Sequence, residues 1–589
     1  MRKRMFLAVL VVLAGVQAPG WAAPQSEAFN RWLERQWQQT LQRQPVLATS
    51  IGDPRYNALL PNTASEAWRA EQRQLLRTSL SELRGFKPEQ LEPSEQVSWR
   101  MLQRELVSDI RGERFPDWQM PLNQFGGMPS FLAQMGSGGS IQPFRSTRDY
   151  EDWLARLRAI PPLFDGMVQD LRLGLKRGVS QPAFIMQKVQ AQLAELAVED
   201  PEKSLFWGPL RQFPDGISAA DRERLTAAYR EVLRNEVLPA YRRLHDAVRD
   251  EAVPRARRST GWSTLPDGKA WYAYMVQQMT TTALGPEVIH QTGLREVARI
   301  RAEMEQVRRQ VGFVGDLKAF FAHLQDDPRY YATEPEALIE GYRALQRRIN
   351  TLTPKLFDIA PKSDYEVKPV EAFRAESAAG ASYQAGAADG SRPGIFYINT
   401  FNLRAQPLFG METLSLHEAS PGHHFQIAIA QEDTALPAFR RFGGGYVAYS
   451  EGWALYAESL GKELGLFTDP YQWYGRLSDE MLRAMRLVVD TGLHAKGWSR
   501  ERAIRYMRDN SSLAESDVVA EVERYLVMPG QALGYKVGEL EIRRLRREAE
   551  AALGERFDIK AFHRVVLRAG QVPLDVLGVL VREWVRSRR

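Results

Sequence analysis

Apolar residues recur at spacings of three and four along most of the chain, which predicts a protein built mainly of α-helices. This amphipathic pattern runs through residues 28–42, 218–252 and 286–311. The clearest apolar stripe has charged residues between its members and consists of Leu477, Met481, Leu482, Met485, Val488 and Val489.

One segment has the composition of a β-strand instead. Residues 394–400, Gly-Ile-Phe-Tyr-Ile-Asn-Thr, are rich in β-branched and aromatic side chains and follow Pro393. The preceding stretch, 378–394, is rich in Gly, Ala and Ser, which predicts a loop. We therefore expect a mainly α fold with a small β-sheet close to the histidine-rich segment described below.

The first residues have the layout of a secretory signal peptide. A basic stretch at residues 2–4 precedes an apolar run over residues 5–16, and small residues lead to a cleavage point after Ala22. The apolar run is too short to cross a bilayer as a helix. We expect residues 1–22 to be removed and residues 23–589 to form one large helical domain of one or two lobes, periplasmic or secreted.

Composition narrows the classes of function. The chain has 78 Lys and Arg residues against 72 Asp and Glu, and three of the basic ones belong to the predicted signal peptide, so the remainder is nearly neutral. Such a chain lacks the basic surface that nucleic-acid binding requires, and we expect no nucleic-acid partner. No later apolar stretch is long enough to span a membrane. Because the sequence has no cysteine, disulfides, thiol chemistry and a lipidated cysteine are excluded.

The segment from His417 to His424, His-Glu-Ala-Ser-Pro-Gly-His-His, holds three of the eight histidines of the chain. It is similar to the HExxH sequence of zinc peptidases, in which two histidines four apart on a helix face one ion, but two or three residues are inserted. A catalytic zinc ion takes three protein ligands and keeps one position open. On a straight helix, a histidine six positions on lies on the wrong face, and one seven positions on lies about 10 Å further along the axis.

Pro421 and Gly422 offer a way to bring a second histidine back. Pro421 lacks the N–H that would bond to the carbonyl four residues earlier, and Gly422 tolerates an irregular backbone. A two-residue bulge over residues 419–421 places His423 in the position of the second ligand, and a three-residue bulge places His424 there. We favour His423, because Gly-His also ends many HExxH sequences, and His424 stays the alternative.

A third ligand is expected on another helix. Residues 450–458 begin a helical pattern in which Trp453 marks the apolar face, while Glu451 and Glu458 share a different face. We predict Glu451 as the third ligand and Glu458 either as a group that orients a histidine ring or as helix surface. Glu418 directly follows the first histidine and is predicted to be the general base that takes a proton from the attacking water.

These residues carry a resemblance to a known family. His417 and Glu418, with residues 421–426 (Pro-Gly-His-His-Phe-Gln) and 451–454 (Glu-Gly-Trp-Ala), resemble a bacterial, often exported family classified as a domain of unknown function. That family is in turn similar to the helical zinc peptidases typified by thimet oligopeptidase, angiotensin-converting enzyme and thermostable carboxypeptidases. The resemblance implies a zincin-like helical body with a central cleft, and it supports the same ligands and base.

The resemblance also implies roles for residues that spacing alone does not single out. In such peptidases a late Tyr or His donates to the oxyanion, which indicates Tyr535 and, after it, His494. An edge strand beside the zinc helix pairs with the substrate backbone, which indicates the predicted strand and its Tyr397. Arg524 and Lys536 are the candidates for binding a substrate carboxylate.

The leading hypothesis is an exported metallopeptidase that hydrolyses peptide bonds of oligopeptides and binds one zinc ion per chain. Two alternatives stay open: an amidase acting on cell-wall peptides, and a non-catalytic metal-binding or regulatory protein. The presence of Glu418 argues against a non-catalytic site, because a purely structural metal site needs no base beside its ligand.

Overall fold

The fold is taken from a computed structural model, which describes residues 24–371, 375, 379–386 and 393–589. The predicted signal peptide, residues 1–22, lies outside the described residues. Most of the described residues are helical, and the sheet has three short strands. The prediction of a mainly α fold with a small sheet is therefore confirmed, while the central cleft and the division into lobes stay predictions.

Helices follow one another closely through the first part of the chain. Two π-helical segments, Leu233–Val237 and Val248–Ala252, join α9, α10 and α11 into one run. The helices of this part are α1 (Pro24–Arg43), α2 (Pro45–Ser50), α3 (Glu66–Arg84), α4 (Pro93–Gly112), α5 (Met128–Met135), α6 (Thr147–Arg158), α7 (Ile160–Arg177), α8 (Ala183–Leu196), α9 (Ala219–Val232), α10 (Leu238–Ala247), α11 (Val253–Arg255), α12 (Gly268–Thr280), α13 (Pro286–Gln310), α14 (Leu317–Asp326) and α15 (Pro335–Leu352).

The strands come between α15 and the remaining helices, which include the histidine-rich segment. These helices are α16 (Met411–Glu418), α17 (His423–Glu432), α18 (Ala438–Phe442), α19 (Val447–Ser459), α20 (Gly461–Leu464), α21 (Pro470–Ala495), α22 (Arg500–Asn510), α23 (Glu515–Val527), α24 (Leu533–Leu553), α25 (Ile559–Arg568) and α26 (Leu574–Arg588). The predicted helical stretches at 28–42, 218–252 and 286–311 and the stripe around Met481 all fall within observed helices.

The sheet has the strand order β1-β3-β2. Its strands are β1 (Tyr365–Pro369), β2 (Ala381–Gln384) and β3 (Gly394–Ile398). The central strand β3 pairs in parallel with β1, where Tyr365 faces Gly394, and antiparallel with β2, where Ala381 faces Ile398. One face of β3 packs against α15 and α16, so the sheet lies directly beside the helix that carries His417.

Buried apolar side chains form three large groups. One group lies entirely between residues 122 and 256. A second extends from Val97 on α4 to Val585 on α26 and includes Leu416 and Phe425 beside the histidine-rich segment. The third packs α13 and α14 against α21, α22 and α23. The helices α13 and α21 pack so closely that a Cβ on Gly293 would lie 2.7 Å from side-chain atoms of Leu487 and Val488. This tight packing fixes α21, which supplies several of the buried charges described below.

Among the described residues, none of the helices combines the length and the apolar character that crossing a membrane requires.

Candidate metal centre

The helix that begins with the first histidine does not continue to the second. The helix α16 ends at Glu418, residues 419–422 form a turn, and α17 begins at His423. Pro421 supplies no amide hydrogen to extend the helical ladder, which explains the break. The prediction of a bulge within one continuous helix is therefore wrong, because the helix is interrupted over residues 419–422.

Gly422 allows the turn to fold back onto α16. A Cβ at this position would lie 1.9 Å from the carbonyl oxygen of His417 and 2.3 Å from that of Leu416. Such distances are impossible for any side chain, so the turn requires glycine for close approach rather than for an unusual φ angle. The indole N–H of Trp453 donates to the carbonyl of Pro421 at 2.8 Å and ties the turn to α19.

The helix α19 is positioned by an equally close contact with α24. A Cβ on Gly452 would lie 2.5 Å from the Cα of Gly538, and a Cβ on Gly538 would lie 1.9 Å from the carbonyl oxygen of Ala448. The two backbones therefore touch beside Glu451, whose side chain extends from α19 towards α16 and α17.

Three donor groups converge between these helices. Oε2 of Glu451 lies 3.4 Å from Nε2 of His417 and 3.4 Å from Nε2 of His423. The two imidazole rings are nearly perpendicular, with centroids 4.9 Å apart. One ligand atom from each of the three residues lies within 4.8 Å of the others, a spacing that a single metal ion can bridge.

The environment of Glu451 fits a bound cation. Its Oε2 is buried and makes no hydrogen bond within the part of the chain that the structure describes. Burial by itself raises the pKa of Glu451, but the charges of His423 and His417 outweigh it and hold that pKa well below its usual range. The carboxylate thus needs a positive neighbour, which protonated histidine or a divalent cation supplies. Two imidazoles and one carboxylate form the donor set typical of catalytic zinc.

A carboxylate behind His417 fixes the orientation of its ring. Oε1 of the fully buried Glu458 lies 2.8 Å from Nδ1 of His417, and its Oε2 lies 3.5 Å from Nε of Arg476. Burial opposes a charge on His417, but Glu451 and Glu458 outweigh burial and raise the pKa of His417 to about 10. With its Nδ1–H donated to Glu458, the ring keeps Nε2 for a metal ion.

The two adjacent histidines have different surroundings. His423 faces Glu451, and its Nδ1 lies 3.4 Å from the hydroxyl of Ser450. His424 turns to the sheet, where its Nδ1 lies 2.9 Å from the hydroxyl of Tyr383 and its ring packs against Tyr365. Burial lowers the pKa of His424 to about 4, so this ring is neutral near pH 7. His424 is not part of the converging group.

Glu418 is half-buried at the end of α16. Its carboxylate forms neither a hydrogen bond nor an ion pair with the described residues, in contrast to the buried glutamates around it. A carboxylate without a partner beside His417 has both oxygens available to accept a proton.

Tyr535 and Arg524 contact one another. Nη2 of Arg524 donates to the hydroxyl of Tyr535 at 3.3 Å and to the side chain of Gln531 at 2.8 Å. The guanidinium of Arg486 lies over the ring of Tyr535, 4.4 Å from its centroid. Tyr535 is placed on α24 next to Gly534, which packs against the start of α19. Arg524 is the cation that contacts the hydroxyl, and both arginines are also paired with Glu521.

Lys536 is not available for a substrate. It is fully buried, and its Nζ lies 2.5 Å from Glu480, 2.6 Å from Glu539 and 3.1 Å from Glu296. Its role as a substrate-carboxylate ligand is therefore corrected: the side chain neutralises acids inside the helical core. The sequence of an amphipathic helix does not show whether a lysine binds a substrate or is buried among acidic side chains.

His494 is also a core residue. It is fully buried, its Nδ1 accepts the backbone N–H of Trp262 at 3.1 Å, and its Nε2 lies 2.9 Å from the carbonyl of Tyr525. Burial lowers its pKa to about 3. Since both ring nitrogens are engaged by backbone groups, His494 has none left to donate to a reacting oxygen.

The strand that carries Tyr397 has no free edge. Because β3 pairs with β1 on one side and β2 on the other, it is unable to pair with a substrate backbone, and this expectation was wrong. The side chain of Tyr397 is buried and donates to Glu371 at 3.2 Å. The strand at the edge nearest the histidines is β2, whose Tyr383 contacts His424.

Some residues around the centre were missed by the sequence analysis. Tyr365 and Tyr383 lie on strands of five and four residues whose patterns are too short to predict a sheet. Arg476, directly before the apolar stripe of α21, is 1% exposed, and the sequence analysis did not single it out. Its burial depends on the partners Glu458 and Glu480, which the sequence alone does not bring together.

Comparison with known proteins gives a family and two close folds. The family described as bacterial protein of unknown function (DUF885) matches residues 45–581. The crystal structure of a "putative lipoprotein" from Colwellia psychrerythraea has 30% sequence identity and a TM-score of 0.88, and the match covers 96% of this chain and 99% of that one. A "putative lipoprotein of unknown function" from Shewanella oneidensis has 19% identity and a TM-score of 0.73, covering 95% and 100%.

A third solved structure, a "putative oligoendopeptidase F" from Bacillus anthracis, has 12% identity and a TM-score of 0.29 over 87% of this chain and 96% of that one. This score is too low to show a shared fold. No curated protein matches the sequence.

Proposed function

The chain belongs to the DUF885 family of bacterial proteins of unknown function, and we propose that it is an exported metallopeptidase in which His417, His423 and Glu451 hold one zinc ion. One observation carries the proposal: three donor atoms lie within 4.8 Å of one another, and the buried carboxylate oxygen among them has no hydrogen-bond partner in the described part of the chain. Two imidazoles and a carboxylate leave one position open for chemistry.

A zinc ion held by these ligands would supply Lewis-acid chemistry to a water and to a substrate carbonyl. In the proposed mechanism, Glu418 accepts the proton of the attacking water and delivers it to the leaving amine. Its carboxylate is suited to this because no described group competes for its oxygens. Glu418 also favours a catalytic over a purely structural site, since a structural site needs no free base beside its ligand.

The proposed role of Glu458 is to position His417. Its hydrogen bond to Nδ1 selects the tautomer whose Nε2 faces the ligand site, and Arg476 keeps the far oxygen of the same carboxylate in a buried ion pair. Carboxylates behind ligand histidines hold the ring angle and raise its basicity.

Tyr535 is the proposed donor to the oxygen that becomes negative during hydrolysis. Its hydroxyl receives a hydrogen bond from Arg524 and therefore keeps its own hydrogen for a substrate. Donors aimed at a developing negative charge are among the largest contributions to catalysis. Arg524, in this scheme, acts through Tyr535 or binds a substrate carboxylate itself.

For substrate binding, the edge of β2 replaces the predicted edge of β3. Within the described sheet, β2 stands at the end of the strand order, which is the position of a strand that an extended peptide joins. Tyr383 links this strand to His424, directly after the proposed ligand His423. The proposed export agrees with the lipoprotein names that the two similar solved structures carry.

The test combines metal analysis with a single substitution at the base. We expect about one zinc per chain in protein purified without chelator, and Glu418→Gln to lower kcat for peptide hydrolysis by about 10²- to 10⁴-fold while zinc stays bound. Glu463→Gln, on the neighbouring helix α20 and paired only with Arg546 among the described residues, serves as the matched control.

Protein that neither contains zinc nor takes it up would overturn the proposal. If zinc binds but hydrolysis is confined to cell-wall peptides, the amidase alternative is the correct function. Zinc binding without hydrolysis of any peptide indicates a non-catalytic protein.

A further inference from the structure

A cavity of about 320 Å³ lies beside the N-terminal end of α19, between α1, α4 and the segment 439–446. Part of its wall is apolar and aromatic, with Trp37 on α1, Phe439 on α18 and Tyr446 directly before α19. The volume suits a small organic molecule, since ligand pockets begin at about 300 Å³.

The polar group of interest in this wall is Glu105 on α4. Its carboxylate accepts a hydrogen bond from the hydroxyl of Tyr446 and forms no ion pair with a basic side chain in the described part of the chain. Burial raises the pKa of Glu105 to about 7, against the hydrogen bond from Tyr446, which lowers it. A carboxylate in such surroundings is stabilised by a cation, and no basic side chain in the described part of the chain forms an ion pair with it.

The charged neighbours of Glu105 do not form an ion pair with it. Asp109, one turn further along α4, raises the pKa of Glu105. Arg104 is the basic neighbour, but its Nη1 lies 2.6 Å from Asp575 and its Nη2 donates to the carbonyl of Gln277. Arg440, the basic residue of the cavity wall, donates to the backbone carbonyls of Ser94 and Ala569 and forms no ion pair with Glu105. The carboxylate of Glu105 therefore stands next to aromatic rings, an arrangement that binds ammonium groups by ion pairing and cation–π contact.

The cavity is close to the candidate metal centre. The backbone N–H of Ser450 bonds to the carbonyl of Tyr446 at 2.9 Å, so the two residues are one helical turn apart. The hydroxyl of Ser450 lies 3.4 Å from Nδ1 of His423. One turn corresponds to about 5.4 Å of rise, and one extended peptide residue spans about 3.3–3.6 Å. The cavity wall and the proposed ligand His423 are therefore linked through one turn of α19.

We infer that this cavity is a binding site for a small organic cation, with Glu105 receiving a primary ammonium group and Trp37, Phe439 and Tyr446 covering its alkyl part. The cation has two possible sources, a free amine or the amino group of a peptide. The binding itself does not depend on the metal centre. Only the second source rests on the proposed peptidase function.

Calorimetric titration of the full chain with butylamine, and with 1-butanol as its neutral counterpart, tests the binding. The titration is run at about pH 8, where Glu105 is ionised and an alkylammonium is still charged. We expect butylamine to bind and 1-butanol not to bind. Glu105→Gln keeps the shape of the side chain and should weaken butylamine binding by about 10- to 100-fold. Glu34→Gln, an exposed position on α1, is the matched control and should leave binding unchanged.

Equal binding of butylamine and 1-butanol, or no binding of butylamine by the unmodified chain, overturns the inference even if Glu105→Gln fails to fold. Equal affinity of Glu105→Gln and Glu34→Gln for butylamine also overturns the inference.

Peptides with free and with acetylated amino termini then show whether the bound cation is a free amine or the amino group of a peptide. If the peptide amino group is the ligand, Glu105→Gln raises KM for free-amine peptides and leaves KM for acetylated ones unchanged. If butylamine binding depends on Glu105 but neither KM changes, the ligand is a free amine. If no peptide is hydrolysed at all, the peptidase proposal fails while the cation site stands on the titration.

Discussion

The candidate metal centre lies on α16, α17 and α19, and the ion cluster around Lys536 lies on α13, α21 and α24. Both gather buried charges, yet their charges are balanced in different ways. Lys536 contacts three glutamates, and Glu480 is also paired with Arg476 and Arg299. In the metal centre, Glu451 faces only imidazoles, and its buried oxygen makes no hydrogen bond within the described residues.

Whether a buried carboxylate is paired with permanent cations therefore separates structural from functional charges better than its degree of burial does. Permanent cations surround Glu480 and complete its interactions within the protein, so nothing further is needed there. Glu451 faces groups that are cationic only when protonated, so a metal ion can replace the protons. Glu105 in the cavity beside α19 belongs with Glu451, since no basic side chain among the described residues forms an ion pair with it.

The largest effect expected within this comparison comes from the two neighbouring histidines. His423→Ala should lower zinc affinity by more than about 100-fold, because it removes a ligand rather than a group that orients one. His424→Ala is the matched control, since that ring contacts Tyr383 and Tyr365 instead. Zinc affinity is measured by competition with a chelator. Loss of zinc in His424→Ala alone would show that the wrong histidine has been placed at the metal.

Removing the permanent cation Lys536 should lower the stability of the protein rather than its zinc affinity. Lys536→Met is expected to lower the free energy of unfolding by about 3–5 kcal/mol, since it removes the buried cation that three glutamates share, and to leave zinc affinity unchanged. Lys496→Met, which removes a surface ion pair with Glu287, should cost no more than about 1 kcal/mol. Urea unfolding gives both values. A Lys536→Met variant as stable as Lys496→Met would mean that the cluster is not balanced as described.

The pH dependence of this difference provides a second check. Burial raises the pKa of Glu480, but Arg476, Lys536 and Arg299 outweigh burial and lower it strongly from 4.5. A lowered pKa contributes stability above the unfolded value, and that stability is lost as the pH falls towards the folded value. The gap in unfolding free energy between the unmodified chain and Lys536→Met should therefore be full above about pH 4.5 and narrow below it.

A smaller effect is expected at Glu458, which joins the two clusters by contacting both His417 and Arg476. Glu458→Gln should lower zinc affinity by about 10- to 100-fold, as loss of a group behind a ligand usually does. Unchanged affinity would leave Glu458 only a structural role towards Arg476. Glu463→Gln, near the surface of the same region, is again the control, and competition with a chelator is the measurement.

Local patterns in the sequence predicted the fold well. The stripe around Met481 and the pattern at 286–311 lie in α21 and α13, and the predicted strand at 394–400 contains β3. The neighbours of that strand were not predictable, because β1 and β2 are too short to give a pattern. The edge expected for β3 was wrong for this reason, since strand order depends on long-range pairing.

At the candidate site, spacing and residue type selected the three groups that converge, and they stay a prediction as ligands. What the sequence missed is the direction in which polar side chains point within helices. Lys536 and His494 were expected near a substrate and are core residues, while the buried Arg476 was not singled out at all. Their positions are determined by partners on other helices, which a single helical pattern does not contain.

Gly422 has a consequence for interpreting genomes. Any side chain there would collide with the backbone of His417, so a substitution at 422 displaces the first histidine without changing one donor atom. A protein that keeps all three donors but replaces this glycine would look intact to a search for metal ligands and yet lack the converging geometry. Inactive members of such a family are therefore better sought by the residue between the histidines than by the histidines themselves.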